Sequence, residues 1–350
     1  MGGGMNPRDR VLEALNLREP DRVPVVPFII SFAAKYAGIK FIEYCRDPRR
    51  LSKAQLLTAE EFGVDAVYVD SDAVVEAEAF GADVVYFEDE VPSMGSPRVK
   101  SIEDVEALGT PDPLRDGRMP VWIEATRILS GEAGDRLGVF TNINGPFQVA
   151  AQLRGITGMC MDMYRNPELV ERLLETTTEA AVRFAQAEVE AGSDAIVMGE
   201  SLASPNLISP RQFERFVLPY DRKVISEVDA PFLLHICGDA TLIIDLMVAT
   251  GTRFLEVDTP VDLAKIREKY DNRVGIRGNV STSLLLSGTP GEVEEAAKQC
   301  IAKAAKGGGF ILGSGCEVPK NTPPANLKAM VKAAEIHGAY QRQDLGPGLV

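Results

Sequence analysis

The sequence has less positive than negative charge and contains no run of basic residues. Its 37 lysine and arginine residues stand against 51 aspartate and glutamate residues, which gives a formal net charge of −14 at pH 7. Acidic surfaces repel the phosphate backbone of nucleic acids and the anionic headgroups of lipids at long range. We therefore expect neither nucleic acid nor a membrane surface to be a partner.

The sequence also lacks long apolar runs and a cysteine framework. No stretch approaches the roughly 18 uncharged apolar residues of a membrane-spanning helix, and the beginning, MGGGMNPRDR, contains no apolar signal core. Its 5 cysteines are odd in number and widely separated, which argues against a set of disulfide bonds. With 45% hydrophobic and 25% charged residues, the composition is ordinary for a folded domain. We predict a cytoplasmic protein.

Short β-rich runs alternate with helical patterns, most regularly in the second half of the chain. The predicted strands are 23–30, 66–70, 138–142, 195–199, 231–237, 253–258, 273–279 and 310–313. Strands separated by helices of about 10–20 residues are typical of a parallel sheet with helical crossovers. No glycine-rich nucleotide-binding loop follows a strand, which favours a closed barrel over an open sheet at this length.

We therefore predict the α/β class and a (β/α)8 TIM barrel that forms a single domain over 1–350. A helical N-terminal extension is predicted at 1–20 and the barrel itself at 22–340. The segment near 82–120 contains a Pro/Gly-rich stretch. It is predicted to form a hairpin or an insertion that covers one end of the barrel.

The tripeptide HIC at 235–237 is the most informative local pattern. Residues two apart on a strand point to the same side, so His235 and Cys237 project together from the C-terminal end of a predicted strand, where parallel barrels carry active sites. Cys316 follows the last predicted strand and supplies a third donor if a barrel brings the strand ends together. A His/Cys/Cys set is typical of a catalytic zinc with one open position. The alternative is that all three side chains are ordinary core residues.

Acidic residues at predicted strand ends are further candidates. Glu200 ends the stretch AIVMGE and is predicted to be a fourth zinc ligand or a hydrogen-bond acceptor for the zinc-binding histidine. The alternative is a solvated or salt-bridged carboxylate. Asp70, Asp72, Glu256 and Asp258 occupy similar positions. The remaining cysteines lie in apolar contexts and are predicted to pack in the core: Cys45, Cys160 and Cys300.

Several longer stretches resemble the uroporphyrinogen decarboxylase superfamily, over about residues 6–340. They are DSDAVVEAEAFGADV, NGPFQVAA, ESLASPNLISPRQFERFVLPY, LLHICGD, RGNVSTSLLLSGTPGEV and GFILGSGCEVPKNTPPANLKAMV. Members of that superfamily are (β/α)8 barrels with the active cleft at the C-terminal ends of the strands, so the resemblance implies the same cleft here. Asp72 matches an aspartate of the decarboxylases. Together with Glu200 it is our predicted catalytic carboxylate.

Two departures from the decarboxylase pattern point to another branch of the superfamily. The decarboxylases carry an arginine-containing element that grips the propionates of the substrate, and this chain has PFIISFAA at 27–34 instead. A substrate with many carboxylates needs that cationic charge. Where decarboxylases have Gly-His-Gly near the C-terminus, this chain has GCE at 315–317. The pattern is similar to the corrinoid-protein methyltransferases, such as methylcobamide:coenzyme M methyltransferase, whose zinc ligands match His235, Cys237 and Cys316.

This resemblance implies a zinc-dependent methyltransferase. It would move a methyl group from methylcobalamin, carried as a corrinoid on a partner protein, to a small-molecule thiol such as coenzyme M, through a thiolate bound to Zn²⁺. Three alternatives stay open: a demethylase that loads the corrinoid, a metal-free uroporphyrinogen decarboxylase, and a binding module without activity. The sequence leaves the fourth zinc ligand, the direction of transfer and the oligomeric state open.

Overall fold

A parallel sheet forms the centre of the protein. The computed structural model describes residues 4–340. The strands in this range are β1 (Ala66–Val69), β2 (Val84–Val85), β3 (Ser93–Met94), β4 (Gly138–Asn144), β5 (Ala195–Gly199), β6 (Phe232–Ile236), β7 (Phe254–Val257), β8 (Gly275–Val280) and β9 (Phe310–Ser314). Within these described residues, seven strands form one sheet in the order β1-β4-β5-β6-β7-β8-β9, and each neighbouring pair is parallel. The predicted α/β class with a parallel sheet is confirmed.

Helices connect the strands and cover the sheet. They are α1 (Pro7–Leu15), α2 (Ser31–Tyr36), α3 (Phe41–Tyr44), α4 (Pro48–Phe62), α5 (Val75–Ala79), α6 (Ile102–Glu106), α7 (Met119–Ala133), α8 (Pro146–Arg154), α9 (Ile156–Arg165), α10 (Pro167–Ala191), α11 (Pro210–Phe216), α12 (Leu218–Glu227), α13 (Ile244–Ala249), α14 (Leu263–Tyr270), α15 (Thr282–Ser287), α16 (Pro290–Ala304) and α17 (Pro324–His337). Every residue of β1, β4, β6, β7, β8 and β9 is buried. Such uniformly buried strands are typical of a parallel sheet that is covered on both faces.

Local sequence signals fix several helix ends. Ser209 and Thr289 each accept a hydrogen bond from the backbone amide three residues later, and the side chain at that later position accepts from the backbone amide of Ser209 or Thr289, so both helices begin with a capping box. The longest helix, α10, begins at a proline and ends before Gly192, whose φ of 109° is in the left-handed region. These signals set the lengths of the crossovers that return the chain to the next strand.

The segment 23–30, which is predicted to be a strand, makes hydrogen bonds to both edges of the sheet. The amide of Val26 donates to the carbonyl of Leu312 on β9 at 2.9 Å, and the amide of Leu312 donates to the carbonyl of Pro24 at 2.9 Å. On the other side, the amide of Asp65, just before β1, donates to the carbonyl of Val25 at 2.9 Å. Prolines at positions 24 and 27 cannot donate hydrogen bonds, so only a single β-bridge forms here.

The region between β1 and β4 contains the predicted hairpin, because β2 and β3 pair antiparallel inside 82–120. Helix α1 contacts β1, β4 and β9, and the extension predicted for 1–20 stays a prediction. Residues 1–3 and 341–350 of the predicted domain lie outside the described residues. Among the helices of residues 4–340, none combines the length and the apolar character that crossing a bilayer requires.

Candidate metal centre

The site begins with three side chains in register on neighbouring strands. His235 on β6 pairs with Glu256 on β7, and Glu256 pairs with Arg277 on β8. Residues in register on parallel strands point to the same side of the sheet, so the three side chains form one row. His235 is 4% exposed, and Glu256 and Arg277 are fully buried. The sheet thus carries a row of ionisable groups through an otherwise apolar interior.

Two cysteines meet the histidine at the C-terminal end of the sheet. Cys237 follows β6 directly, and Cys316 lies two residues beyond β9. Sγ of Cys237 lies 3.2 Å from Nε2 of His235 and 3.6 Å from Sγ of Cys316. Sγ of Cys316 lies 3.9 Å from the same Nε2. The curvature of the sheet therefore brings together donor atoms from β6 and β9, as the sequence analysis anticipated.

A glycine allows the second cysteine to reach the first. A Cβ atom at Gly315 would lie 2.7 Å from Oδ1 of Asp258 and 2.7 Å from Oγ1 of Thr259, which is closer than carbon atoms approach in proteins. A larger residue would have to displace the loop after β7 or move the chain away from it. Gly315 therefore permits the close approach that places Cys316 over the end of β6.

Within residues 4–340, His235, Cys237 and Cys316 are the one group of His, Cys, Asp or Glu side chains whose donor atoms lie close enough together to hold a metal ion. The set offers one imidazole nitrogen and two sulfurs. Nitrogen and sulfur donors suit borderline and soft transition metals rather than Mg²⁺ or Ca²⁺. The arrangement can therefore bind a metal of that class.

The ionisation of the three donors is strongly linked. The contact with Cys316 lowers the pKa of Cys237, burial opposes this, and His235 lowers the pKa further. The same sulfur contact and burial raise the pKa of Cys316. Burial disfavours the imidazolium form of His235, but Cys237 outweighs burial and raises the pKa of His235 to about 9. A thiolate held in such surroundings is the form of cysteine that binds metal ions.

A buried ion pair stands behind the histidine. Nδ1 of His235 lies 3.5 Å from Oε1 of Glu256, and neither atom has a hydrogen-bond partner. The other carboxylate oxygen of Glu256 forms an ion pair with Arg277 and lies 3.5 Å from the hydroxyl of Tyr68. Nε of Arg277 donates to the carbonyl of Val26 at 2.8 Å. The carboxylate is thus fixed beside the imidazole nitrogen that faces away from the cysteines.

Glu200 follows β5, but its carboxylate lies at the beginning of helix α8. Its oxygens accept hydrogen bonds from the amides of Phe147 at 2.9 Å and Gln148 at 2.7 Å, and the carboxyl group of Asp221 lies nearby. Burial raises the pKa of Glu200 to about 7. The carboxylate beside Nδ1 of His235 is that of Glu256, and the predicted roles of Glu200 as a fourth ligand, as the acceptor for His235 or as a catalytic carboxylate stay predictions. The Glu200 amide does donate to the His235 carbonyl at 2.8 Å.

A cavity of about 200 Å³ opens beside the cluster, and Asp72 lies in its wall. Asp72 accepts two hydrogen bonds from the guanidinium group of Arg118, at 2.6 and 2.9 Å. Arg118 also donates to Glu78 at 2.6 Å. The cavity is bounded by His235 and both cysteines of the cluster as well, so a molecule inside it would contact the donor atoms. The catalytic role of Asp72 stays a prediction.

Sequence reasoning missed two groups around the cluster. Arg277 stands in an otherwise apolar strand, GIRGNV, and a charged residue in the middle of such a strand is a signal of a buried ion pair. Ser201 directly follows Glu200, and its hydroxyl lies 3.0 Å from Sγ of Cys237. No spacing rule connects Ser201 to the cluster. The other cysteines pack as predicted, with Cys45 and Cys300 buried and Cys160 half-buried against the core.

The chain is similar to known proteins along nearly its whole length. The sequence pattern of the family described as uroporphyrinogen decarboxylase (URO-D) matches residues 6–337. The chain is 31% identical over 336 residues to the methylcobamide:CoM methyltransferase MtbA of Methanosarcina acetivorans, with 94% of this chain and 97% of that protein covered. It is 29% identical over 339 residues to the methylcobamide:CoM methyltransferase MtaA of Methanosarcina barkeri, with 95% and 98% covered.

The chain is also similar to a decarboxylase and to the solved structure of a methyltransferase. The uroporphyrinogen decarboxylase of Syntrophotalea carbinolica is 28% identical over 302 residues, with 84% of this chain and 85% of that protein covered. The structure of a methyltransferase from Methanosarcina mazei superposes with a TM-score of 0.88 at 29% identity, covering 95% of this chain and 99% of that one. The similarity thus extends through both the sheet and the loops that carry the cluster.

Proposed function

The chain belongs to the uroporphyrinogen decarboxylase (URO-D) family, and from this premise we propose that it is a methyltransferase that moves a methyl group from a methyl-corrinoid on a partner protein to a small thiol. The observation that carries the proposal is the convergence of His235, Cys237 and Cys316 at the wall of one cavity. Relatives covered over nearly their full length are named methylcobamide:CoM methyltransferases, which supports the same reaction class here.

The donor atoms fit zinc. With Zn–S bonds of about 2.3 Å and Zn–N bonds of about 2.0 Å, tetrahedral geometry requires about 3.8 Å between two sulfurs and about 3.5 Å between nitrogen and sulfur. The cluster has 3.6 Å between the sulfurs and 3.2 and 3.9 Å from nitrogen to sulfur. When bound, zinc supplies a Lewis acid that lowers the pKa of a coordinated thiol.

The surrounding residues would orient and tune the cluster. Oε1 of Glu256 lies 3.5 Å from Nδ1 of His235 and would favour a proton on that nitrogen, which leaves Nε2 as the ligand atom, and Arg277 holds the carboxylate in place. Two cysteine thiolates offset the 2+ charge of zinc, so a substrate thiolate would keep enough charge to act as a nucleophile. A set of three histidines would leave that charge uncompensated.

The transfer itself balances without another reactant. The thiol releases its proton to solvent, and its sulfur attacks the methyl carbon of the corrinoid. A sulfur–carbon bond forms as the cobalt–carbon bond breaks, and the electron pair stays on cobalt, which leaves as Co(I). The products are a methyl thioether and the Co(I) corrinoid on its partner protein. The role of this chain is to hold the thiol at the cavity where the partner docks.

Two further features complete the proposal. The segment 23–28 acts as the first strand of a closed (β/α)8 barrel, which its hydrogen bonds to both sheet edges support. The protein works in the cytoplasm, where reduced thiols persist. A porphyrinogen decarboxylase is disfavoured because Phe28 and Ile30 line the cavity where that activity needs arginine.

The test is the consumption of methylcobalamin by the purified protein with a panel of small thiols, with zinc and after its removal by a chelator. We expect thiol-dependent loss of the methylcobalamin absorbance that requires zinc. Cys316→Ala should abolish it. Cys160→Ala is the matched control, since Cys160 is also half-buried but lies outside the cluster. Methylation of Co(I) corrinoid by a methylated donor, without the forward reaction, would reverse the proposed direction. Full activity of Cys316→Ala would refute the site.

A further inference from the structure

The cavity beside the cluster has an acidic wall. Three carboxylate side chains line it, from Asp70, Asp72 and Glu317. Asp72 is neutralised by Arg118, as described above. Glu317 accepts hydrogen bonds from the amide and hydroxyl of Ser31, which are neutral groups. Two of the three carboxyl groups therefore have no cationic partner within residues 4–340.

Asp70 is an unpartnered group in this wall. The residue is 3% exposed, and its Oδ1 atom is buried without any hydrogen-bond partner. Burial and the neighbouring Asp72, Glu317 and Glu76 raise the pKa of Asp70 well above its ordinary value. A buried carboxyl group is costly unless it is hydrogen-bonded or paired with a positive charge. This oxygen has no hydrogen-bond partner among the described residues, and a positively charged group in the cavity would supply one.

The two arginines near the cavity are paired with carboxylates. Of the described residues that line it, none is a lysine or an arginine. Arg118 is bound to Asp72 and Glu78, and Arg277 is bound to Glu256. The lysines of the next cavity, around helix α2, each contact an acceptor: Lys35 with Asn321, Lys40 with Glu88, and Lys320 with Glu90. An anionic substrate would meet carboxyl groups without a matching cation.

From this we infer that the substrate of the cavity carries a protonated amine or another positive charge, held by Asp70 and Glu317, and that an anionic thiol such as coenzyme M is disfavoured. The inference rests on the proposed methyl transfer and narrows its substrate. The transferred atoms and electrons are those of the proposed reaction, with an aminothiol as the methyl acceptor. The site would select its substrate by charge, because the repulsion between like charges is several-fold larger in a partly desolvated site than in water.

Three thiols of equal length test the inference. They are 2-aminoethanethiol, 2-mercaptoethanol and coenzyme M (2-mercaptoethanesulfonate), which share the thiol and a two-carbon chain and end in a cationic, a neutral and an anionic group. Binding is measured by the thiolate-to-cobalt absorbance of the Co²⁺-substituted protein, and turnover by methylcobalamin loss. We expect 2-aminoethanethiol to bind at least about tenfold more tightly than coenzyme M, with the neutral thiol between them.

Variants of the two carboxyl groups test their role in charge selection separately from the role of the metal-binding cluster. Asp70→Asn and Glu317→Gln should each reduce the preference for the cationic thiol over the neutral one. Asp245→Asn, an exposed carboxylate paired with Lys269, is the control and should change nothing. Equal or tighter binding of coenzyme M would overturn the charge selection and leave the proposed methyl transfer standing. Absence of binding and turnover with all three thiols would refute both.

Discussion

Replacing Glu256 by glutamine is expected to lower both the stability of the fold and the affinity for zinc. The change leaves the Arg277 guanidinium, which is fully buried, without its counter-charge. Breaking one side of a buried ion pair costs about 3–5 kcal/mol, so we expect the free energy of unfolding to fall by about that amount. The amide also loses the charged oxygen beside Nδ1 of His235, 3.5 Å away. We expect zinc affinity to fall by about 10–100-fold.

A second variant distinguishes the two effects. Adding Arg277→Met to Glu256→Gln removes the unpaired charge, so most of the lost stability should return while zinc affinity stays low. Urea unfolding measures the first quantity, and competition with a chromophoric chelator measures the second. Asp245→Asn is the matched control at an exposed pair and should change stability by no more than about 1 kcal/mol. If Glu256→Gln changed neither quantity, or if zinc affinity returned with Arg277→Met, the role of Glu256 as support for the histidine would be wrong.

Two other changes test the buried carboxyl groups of Glu188 and Asp72. Burial raises the pKa of Glu188 to about 8, so its contribution to stability is present below its ordinary pKa and is lost as pH rises through 8; the slope is at most about 1.4 kcal/mol per pH unit. Glu188→Gln keeps a partner for Thr126 and should flatten the fall in unfolding free energy between pH 5 and pH 8, relative to the unchanged protein; equal slopes would contradict this. Asp72→Asn leaves Arg118 with Glu78 alone and should cost about 3 kcal/mol in urea unfolding; a loss below about 1 kcal/mol would show that the pair with Asp72 does not stabilise the fold.

Much of the sheet could be predicted from the sequence. The predicted strand at 195–199 has the observed bounds, and the others in the sheet start or end within two residues of those found. Apolar runs between capped helices are a local signal, because each strand is buried on both faces. The segment 23–30 is the exception. Its two prolines interrupt the ladder, so it makes hydrogen bonds to both neighbours without forming a regular strand.

The cluster could be predicted in part. Strand alternation and the position of strand ends were sufficient to group His235 with Cys237, and the return of the chain in a barrel added Cys316. Glu200 is predicted to be a fourth zinc ligand or the acceptor for His235, and these roles stay predictions, whereas the carboxylate beside Nδ1 of His235 is Glu256. Strand ends alone do not decide between acids on the two strands that flank β6. The register of β6 against β7 does, because it sets Glu256 directly beside His235.

Zinc K-edge X-ray absorption of the zinc-loaded protein tests the proposed centre most directly. We expect a first shell with two sulfurs at about 2.3 Å and a histidine nitrogen at about 2.0 Å. Addition of a substrate thiol should increase the sulfur count by one, and Cys316→Ala should decrease it by one. A shell of light atoms alone, or a sulfur count that neither the thiol nor the variant changes, would contradict a catalytic metal held by His235, Cys237 and Cys316.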